Sequence, residues 1–266
     1  MSSSHRSFKS ITAAALAVGL TSAAQAAQVQ LKVTVENLAP ANSVAFAPLR
    51  VGFNSGTYDS FNAGGTASAA IALIAESGSG SAWFPAFAAA DPTATLGTVG
   101  TFPPPLLPGV AASEVFSIDT DTNPYFTFAA MVVPSNDSFI GNDSPTQYKL
   151  FDNAGNLLIT SITQSRQNIW DAGSEVTDPA TAAFLVGGDA SGHAAENGVV
   201  AFSFTQLTAF DGLTTGANYV FDSQLASDNT EIYRISFAPV PEPETYALML
   251  AGLAVLTGVR KRAAGR

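Results

Sequence analysis

The chain predicts an all-β fold, an antiparallel β-sandwich with one short helix, and three features of its pattern say so. Apolar and polar residues alternate with period two over residues 29–35, 199–204 and 232–237, as they do in strands with one face inward. Residues 125–133 form a mostly apolar run of the length of a buried strand. Clusters of Gly, Pro, Asn and Asp divide the rest into short segments, and no repeat recurs at a fixed period.

At the amino end, Arg6 and Lys9 precede the apolar run 11–20, and Ala24-Gln25-Ala26 supplies the small residues that a signal peptidase requires. Residues 1–26 therefore read as a signal peptide cleaved before Ala27. The body, residues 27–238, opens with strand 29–35. Residues 67–76 are rich in alanine and stopped by Ser77-Gly78, which makes them the one short helix. Residues 77–109 are dense in Gly, Pro, Ala and Thr, with Pro103-Pro104-Pro105 at their centre, and read as a long surface excursion. Within it, the rings of Trp83-Phe84-Pro85-Ala86-Phe87 either pin the excursion onto the sandwich or stay exposed to stack on sugars or a partner. Residues 148–151 and 157–162 flank Asp152-Asn153-Ala154-Gly155-Asn156, whose residues tolerate left-handed backbone, so the pair reads as a hairpin.

Composition removes several function classes. Between residues 27 and 240 five basic residues face nineteen acidic ones, a net charge of −14. Such a surface repels phosphate backbones, which excludes nucleic acid as a partner, and suits divalent cations. Cysteine is absent, so the fold relies on its core, for which 47% hydrophobic residues give ample material. Asp119-Thr120-Asp121-Thr122-Asn123 begins like an EF-hand loop, but Pro124 stands where glycine is needed and Ala130 where the closing glutamate belongs. His193 is the single histidine beyond the signal peptide, which rules out a histidine-rich zinc site and would leave a serine triad hanging on one loop residue. Paired carboxylates for glycoside hydrolysis find no spacing that singles out one pair.

The carboxyl end has three parts in order. Pro241-Glu242-Pro243-Glu244 is followed by the apolar segment 246–259, which Arg260-Lys261-Arg262 closes. This tail resembles the bacterial PEP-CTERM sorting signal, in which an exported protein is held at the inner membrane until an exosortase cuts near the Pro-Glu-Pro. Residues 239–266 are read accordingly as the sorting tail, with 246–259 as a short transmembrane segment. Fourteen apolar residues fall short of the ~20 that span a bilayer, so the segment suits transient membrane association better than a plain permanent tail anchor. The basic stop would remain on the cytoplasmic side. In a bacterial chain of this kind the glycosylation sequons at Asn136-Asp137-Ser138 and Asn142-Asp143-Ser144 carry no meaning.

The body carries a second resemblance. Glu36-Asn37-Leu38-Ala39-Pro40, Ala47-Pro48-Leu49, Gly64-Gly65-Thr66-Ala67-Ser68 and Ile74-Ala75-Glu76-Ser77-Gly78 occur in order. They are followed by Met131-Val132-Val133-Pro134-Ser135-Asn136-Asp137-Ser138-Phe139-Ile140-Gly141 and by Ile169-Trp170-Asp171-Ala172-Gly173-Ser174-Glu175. Spread over residues 28–237, the set resembles the spondin N-terminal domain family, with Glu175 where that family has Asp and without the cysteines of its animal members. The resemblance implies a β-sandwich with a calcium ion at one end, serving adhesion or matrix attachment, and calcium ligands at Asp137, Asp171 and Glu175. Three carboxylates on two loops, completed by carbonyls and water, are a reasonable cage for a cation that takes six to eight oxygens. The alternative is that Asp137 caps a turn while Asp171 and Glu175 are solvated loop acids.

Together these readings predict a non-enzymatic, calcium-binding adhesion or extracellular-matrix module exported by a Gram-negative bacterium. It would pass through an inner-membrane intermediate to the cell surface or matrix, with signal peptidase and exosortase as processing partners and an exopolysaccharide or surface protein as ligand. The rival is a secreted hydrolase acting on extracellular polymer.

Overall fold

The structure is a computed structural model that describes residues 28–241. Residues 1–26, read above as a signal peptide, Glu242 and Pro243 of the sorting motif, the apolar segment 246–259 and the basic residues Arg260, Lys261 and Arg262 lie outside the described residues; Pro241 lies within them.

Two antiparallel sheets pack face to face. The first is built from β1 (Gln28–Asn37), β5 (Ala111–Asp119), β8 (Ser161–Ser165) and β11 (Glu231–Pro239), in the spatial order β5-β1-β11-β8. The second runs β10 (Ala201–Phe202), β9 (Trp170–Asp171), β7 (Ser138–Gly141), β6 (Tyr125–Val133), β3 (Leu49–Asn54), β4 (Thr95–Val99), with β2 (Ala45–Phe46) paired to β6. Period-two alternation decides which side chains meet between them: Leu31, Val33 and Val35 of β1 point inward beside Ile235 and Phe237 of β11. Aromatic rings then tie one sheet to the other. Phe53 of β3 lies 5.3 Å from Phe116 of β5, and Phe126 of β6 lies 4.9 Å from Phe237 of β11, centroid to centroid. Burying one such ring stabilises by roughly 1.5–3 kcal/mol.

The apolar run of β6 has a physical cause, because both of its faces are covered. Phe126, Phe128, Ala130 and Val132 face the first sheet, whereas Ala129 belongs to a second core beneath two helices, α1 (Ala69–Ser77) and α2 (Trp83–Ala90). Helix α1 starts where Ser68 Oγ accepts from the Ile71 N–H at 3.3 Å and ends where Gly78, at φ 67°, turns its N–H onto the Ile74 carbonyl. In α2, Pro85 occupies the first turn, where its missing N–H has no partner to lose. The Phe87 ring lies directly on the sheet over Gly52: a Cβ there would come within 2.6 Å of it.

Three expectations change in detail. Residues 77–109 are not a surface excursion, since they contain α2 and β4; Trp83 and Phe87 are fully buried, and Trp83 Nε1 donates to Ser60 Oγ at 3.0 Å. The rings therefore pin this segment to the sandwich. Of residues 199–204 only Ala201 and Phe202 form a strand, both exposed, before a 3-10 turn at Thr205–Phe210 takes over. The proposed hairpin about residues 152–156 closes through a single bridge, Phe151 to Leu157, after which β8 pairs with β11 instead. Among the described residues no helix is long and apolar enough to cross a membrane.

Candidate functional site

Asp137 sits on the connection between β6 and β7, and Asp171 ends β9. Pairing of β7 with β9 places Ser138 opposite Asp171, and the Ala172 N–H donates to the Asp137 carbonyl at 3.1 Å, so the two acids are brought together by sheet register. The chain then turns at Gly173, whose φ of 63° is left-handed, and the segment 194–198 lies antiparallel on it. Three bonds hold that pairing: Val176 N–H to the Ala194 carbonyl at 2.9 Å, Glu196 N–H to the Ser174 carbonyl at 3.1 Å and Gly198 N–H to the Gly173 carbonyl at 2.7 Å. A side chain at Gly173 would put its Cβ 2.7 Å from the Val199 nitrogen.

The Asp137 carboxylate is almost fully buried and divided in its duties. Its Oδ2 accepts from the Ser174 N–H at 2.7 Å, the Glu175 N–H at 3.0 Å and the Ser174 hydroxyl at 3.2 Å. Its Oδ1 is buried with no hydrogen-bond partner. A buried, unsatisfied carboxylate oxygen is costly, which makes this atom the exception to explain. Asp137, Asp171 and Glu196 each bring an oxygen to one cluster, all within 4.8 Å of one another. No basic side chain among the described residues forms an ion pair with any of the three. Burial pushes the Asp171 carboxyl up to about 6, helped by the charges of Asp137 and Glu196 and opposed by the Gly173 N–H that Asp171 accepts at 2.7 Å. Burial likewise raises Asp137, against the hydrogen bonds it receives from Glu175 and Ser174.

Glu175 points elsewhere. Its carboxylate groups with Glu76 of α1 and with His193, again within 4.8 Å. His193 Nδ1 lies 3.0 Å from Glu175 Oε1 and 3.0 Å from the Ala190 carbonyl; both are acceptors, so Nδ1 carries the proton. Burial and then the Glu76 charge push Glu175 up to about 7, with His193 working the other way. The Ala190 carbonyl, followed by the Glu175 charge, raises His193.

Of the residues singled out from sequence, Asp137 and Asp171 converge, while Glu175 contributes its backbone N–H to Asp137 and its side chain to the neighbouring cluster. The third carboxylate beside the pair is Glu196, which the sequence did not point to. Its only signal was Gly198 two residues on, the position that lets the loop close against Gly173, where the two backbones meet within 3.2 Å of a built Cβ. Both sequon asparagines are buried; Asn136 Oδ1 accepts from the Asp178 N–H at 3.0 Å and Asn142 Oδ1 from the Phe128 N–H at 2.9 Å, so they brace the site and the sheet.

The class so defined is a two-sheet β-sandwich with helices on one outer face and a buried acidic cluster on connections between its strands. The profile of the PEP-CTERM protein-sorting motif matches residues 239–263, so the chain carries that signal. The motif marks an exported protein sorted to the Gram-negative cell surface by an exosortase. No curated protein matches the chain.

Proposed function

We propose that the chain is a non-enzymatic adhesion or matrix module of the cell envelope whose loops hold calcium through Asp137, Asp171 and Glu196. The observation that carries this reading is the orphan Asp137 Oδ1, a fully buried oxygen of a carboxylate that shares a cluster with two more acids and no basic residue. A hard divalent cation satisfies that oxygen and offsets the burial and the charge repulsion that together lift Asp171. An all-oxygen donor set favours calcium over transition ions. The sorting signal supports a place outside the inner membrane.

The test is the melting temperature of the full-length chain in mild detergent, with chelator and with millimolar calcium. At a calcium concentration of about 100 Kd, a ligand bound only by the native state adds ~2.7 kcal/mol, which for a body of this size raises melting by roughly 5–10 °C. Identical curves would remove the calcium reading. A second reading, a secreted hydrolase of extracellular polymer, draws on the raised Asp171 and Glu175 carboxyls; its mark is turnover that follows a titration between about pH 6 and about 7.

A further inference from the structure

Beside the acidic loops, the β9–β10 pair carries an aromatic surface of a different kind. Phe202 is 56% exposed, yet its ring is not loose: it stacks on Trp170 with 3.6 Å between centroids and 23° between planes. Trp170 is itself fixed, its Nε1 donating to the Gly141 carbonyl at 3.1 Å and its ring meeting Phe61 at 5.1 Å. Phe202 thus lies flat on a rigid support and keeps its exposure on the side away from Trp170. An open groove of about 460 Å³ adjoins it, lined by Arg166, Gln167, Asn168, Ser203, Phe204 and Asp228, a volume within the ~300–1,000 Å³ usual for small-molecule sites.

The polar groups of the groove fall into two sets. Arg166 is committed in part: Nη1 donates to the Ala226 carbonyl at 2.6 Å, the guanidinium sits 3.7 Å over the Phe204 ring, and the buried Nε, which has no hydrogen-bond partner, is 3.7 Å from Asp228 in an ion pair. Its charge is matched within the groove. Asn168 commits only its Oδ1, which accepts from the Ser165 N–H at 2.7 Å and hydroxyl at 3.0 Å. Among the described residues the Asn168 Nδ2, the Gln167 amide and the Ser203 hydroxyl form no hydrogen bond. The result is an open aromatic face bordered by uncommitted amide and hydroxyl groups, with no unpaired cation and a strongly acidic body behind it.

We propose that this groove binds a neutral saccharide, with the C–H face of a pyranose ring on Phe202 and its hydroxyls bonded to Gln167, Asn168 and Ser203. A pyranose offers what the site complements, one apolar face ringed by alternating donors and acceptors. The charge balance selects against acidic polymers, which the acidic body repels. The inference deepens the adhesive reading by naming a ligand class, and it does not depend on calcium. The test is affinity electrophoresis of the full-length chain in mild detergent, in chelator throughout, through gels containing dextran, galactomannan, a β-1,3-glucan or the anionic polymer alginate. At least one neutral polymer should retard the wild type, Phe202→Ala should weaken that retardation by about tenfold or more in apparent affinity, and Phe202→Tyr should retain it. Mobility unchanged in all three neutral gels, retardation by alginate alone, or retardation unaffected by Phe202→Ala would each overturn the proposal. Phe202→Ala should lower melting by no more than a few degrees, through the lost stacking on Trp170, and keep the calcium shift, so loss of the calcium shift and loss of sugar binding are separate failures.

Discussion

The two acidic clusters share one loop and differ in whether the protein supplies its own positive charge. Glu175 has His193 at 3.0 Å, so its buried carboxylate is answered from within the chain. Among the described residues Asp137, Asp171 and Glu196 have each other, the backbone N–H groups of residues 173–175 and the Ser174 hydroxyl, but no basic partner. Backbone donors satisfy Oδ2 of Asp137 but leave Oδ1 bare, and they do not cancel charge. Equal numbers of ligand-type residues therefore do not make equal sites: one cluster holds an internal ion pair, and the other has no basic partner among the described residues, which is the basis for proposing a cation there.

The sharpest way to break this comparison is to neutralise one acid in each cluster. Asp137→Asn should abolish the whole calcium-induced melting shift of roughly 5–10 °C, while Glu76→Gln leaves it in place; equal effects would show that the clusters are not distinct. Next in size is Gly173→Ala. Left-handed backbone and a Cβ 2.7 Å from Val199 N should cost about 1–2 kcal/mol, seen as a fall of roughly 2–8 °C in melting, with weaker calcium binding because the segment that carries Glu196 is pushed off its partner. An unchanged calorimetric trace would mean that the two loops are not held together as described.

The smallest effect is in pH. Asp171 at about 6 and Glu175 at about 7 both lie above ordinary carboxylate values, so between about pH 4 and about pH 7 the native chain holds more protons than the unfolded one. Without metal, stability should fall as pH rises through that window. His193, also raised, adds in the same direction, since its contribution is full below the unfolded histidine value and vanishes as pH passes the native one. Melting in chelator should thus be higher at pH 5 than at pH 8, whereas the calcium shift should grow with pH because calcium binds the deprotonated acids. His193→Ala should shift the metal-free slope to higher pH, because His193 holds the Glu175 carboxyl down, and leave the calcium shift at pH 8 untouched.

Much of the architecture was legible in the residues. The alternation of β1 and β11 and the apolar run of β6 reported burial on one face and on two, and Ser68 and Gly78 bounded α1 through their caps. Helix α2 was hidden by composition, because Pro85 breaks a helix everywhere except in the first turn, where it stands. Residues 199–204 alternate like a strand, but the neighbouring β9 offers only Trp170 and Asp171 to pair with, so the ladder stops after two residues. Phe202 and Trp83 show the same limit from opposite sides: the ring in a Gly- and Pro-rich segment is buried, and the ring in an apparent strand is open.

The sequence alone determined the class of the body, the sorting signal at 239–263, the acidic surface and the nearness of Asp137 and Asp171 to strand ends, since all of these follow from local pattern and charge. The partners of each acid were decided only in three dimensions. Glu196 reaches the Asp137 cluster through backbone pairing across about twenty residues of chain, and Glu175 gives its N–H to Asp137 while its side chain turns to Glu76 and His193. Side-chain direction at a turn follows the local backbone conformation, which long-range pairing fixes here, and no spacing in the sequence records that choice.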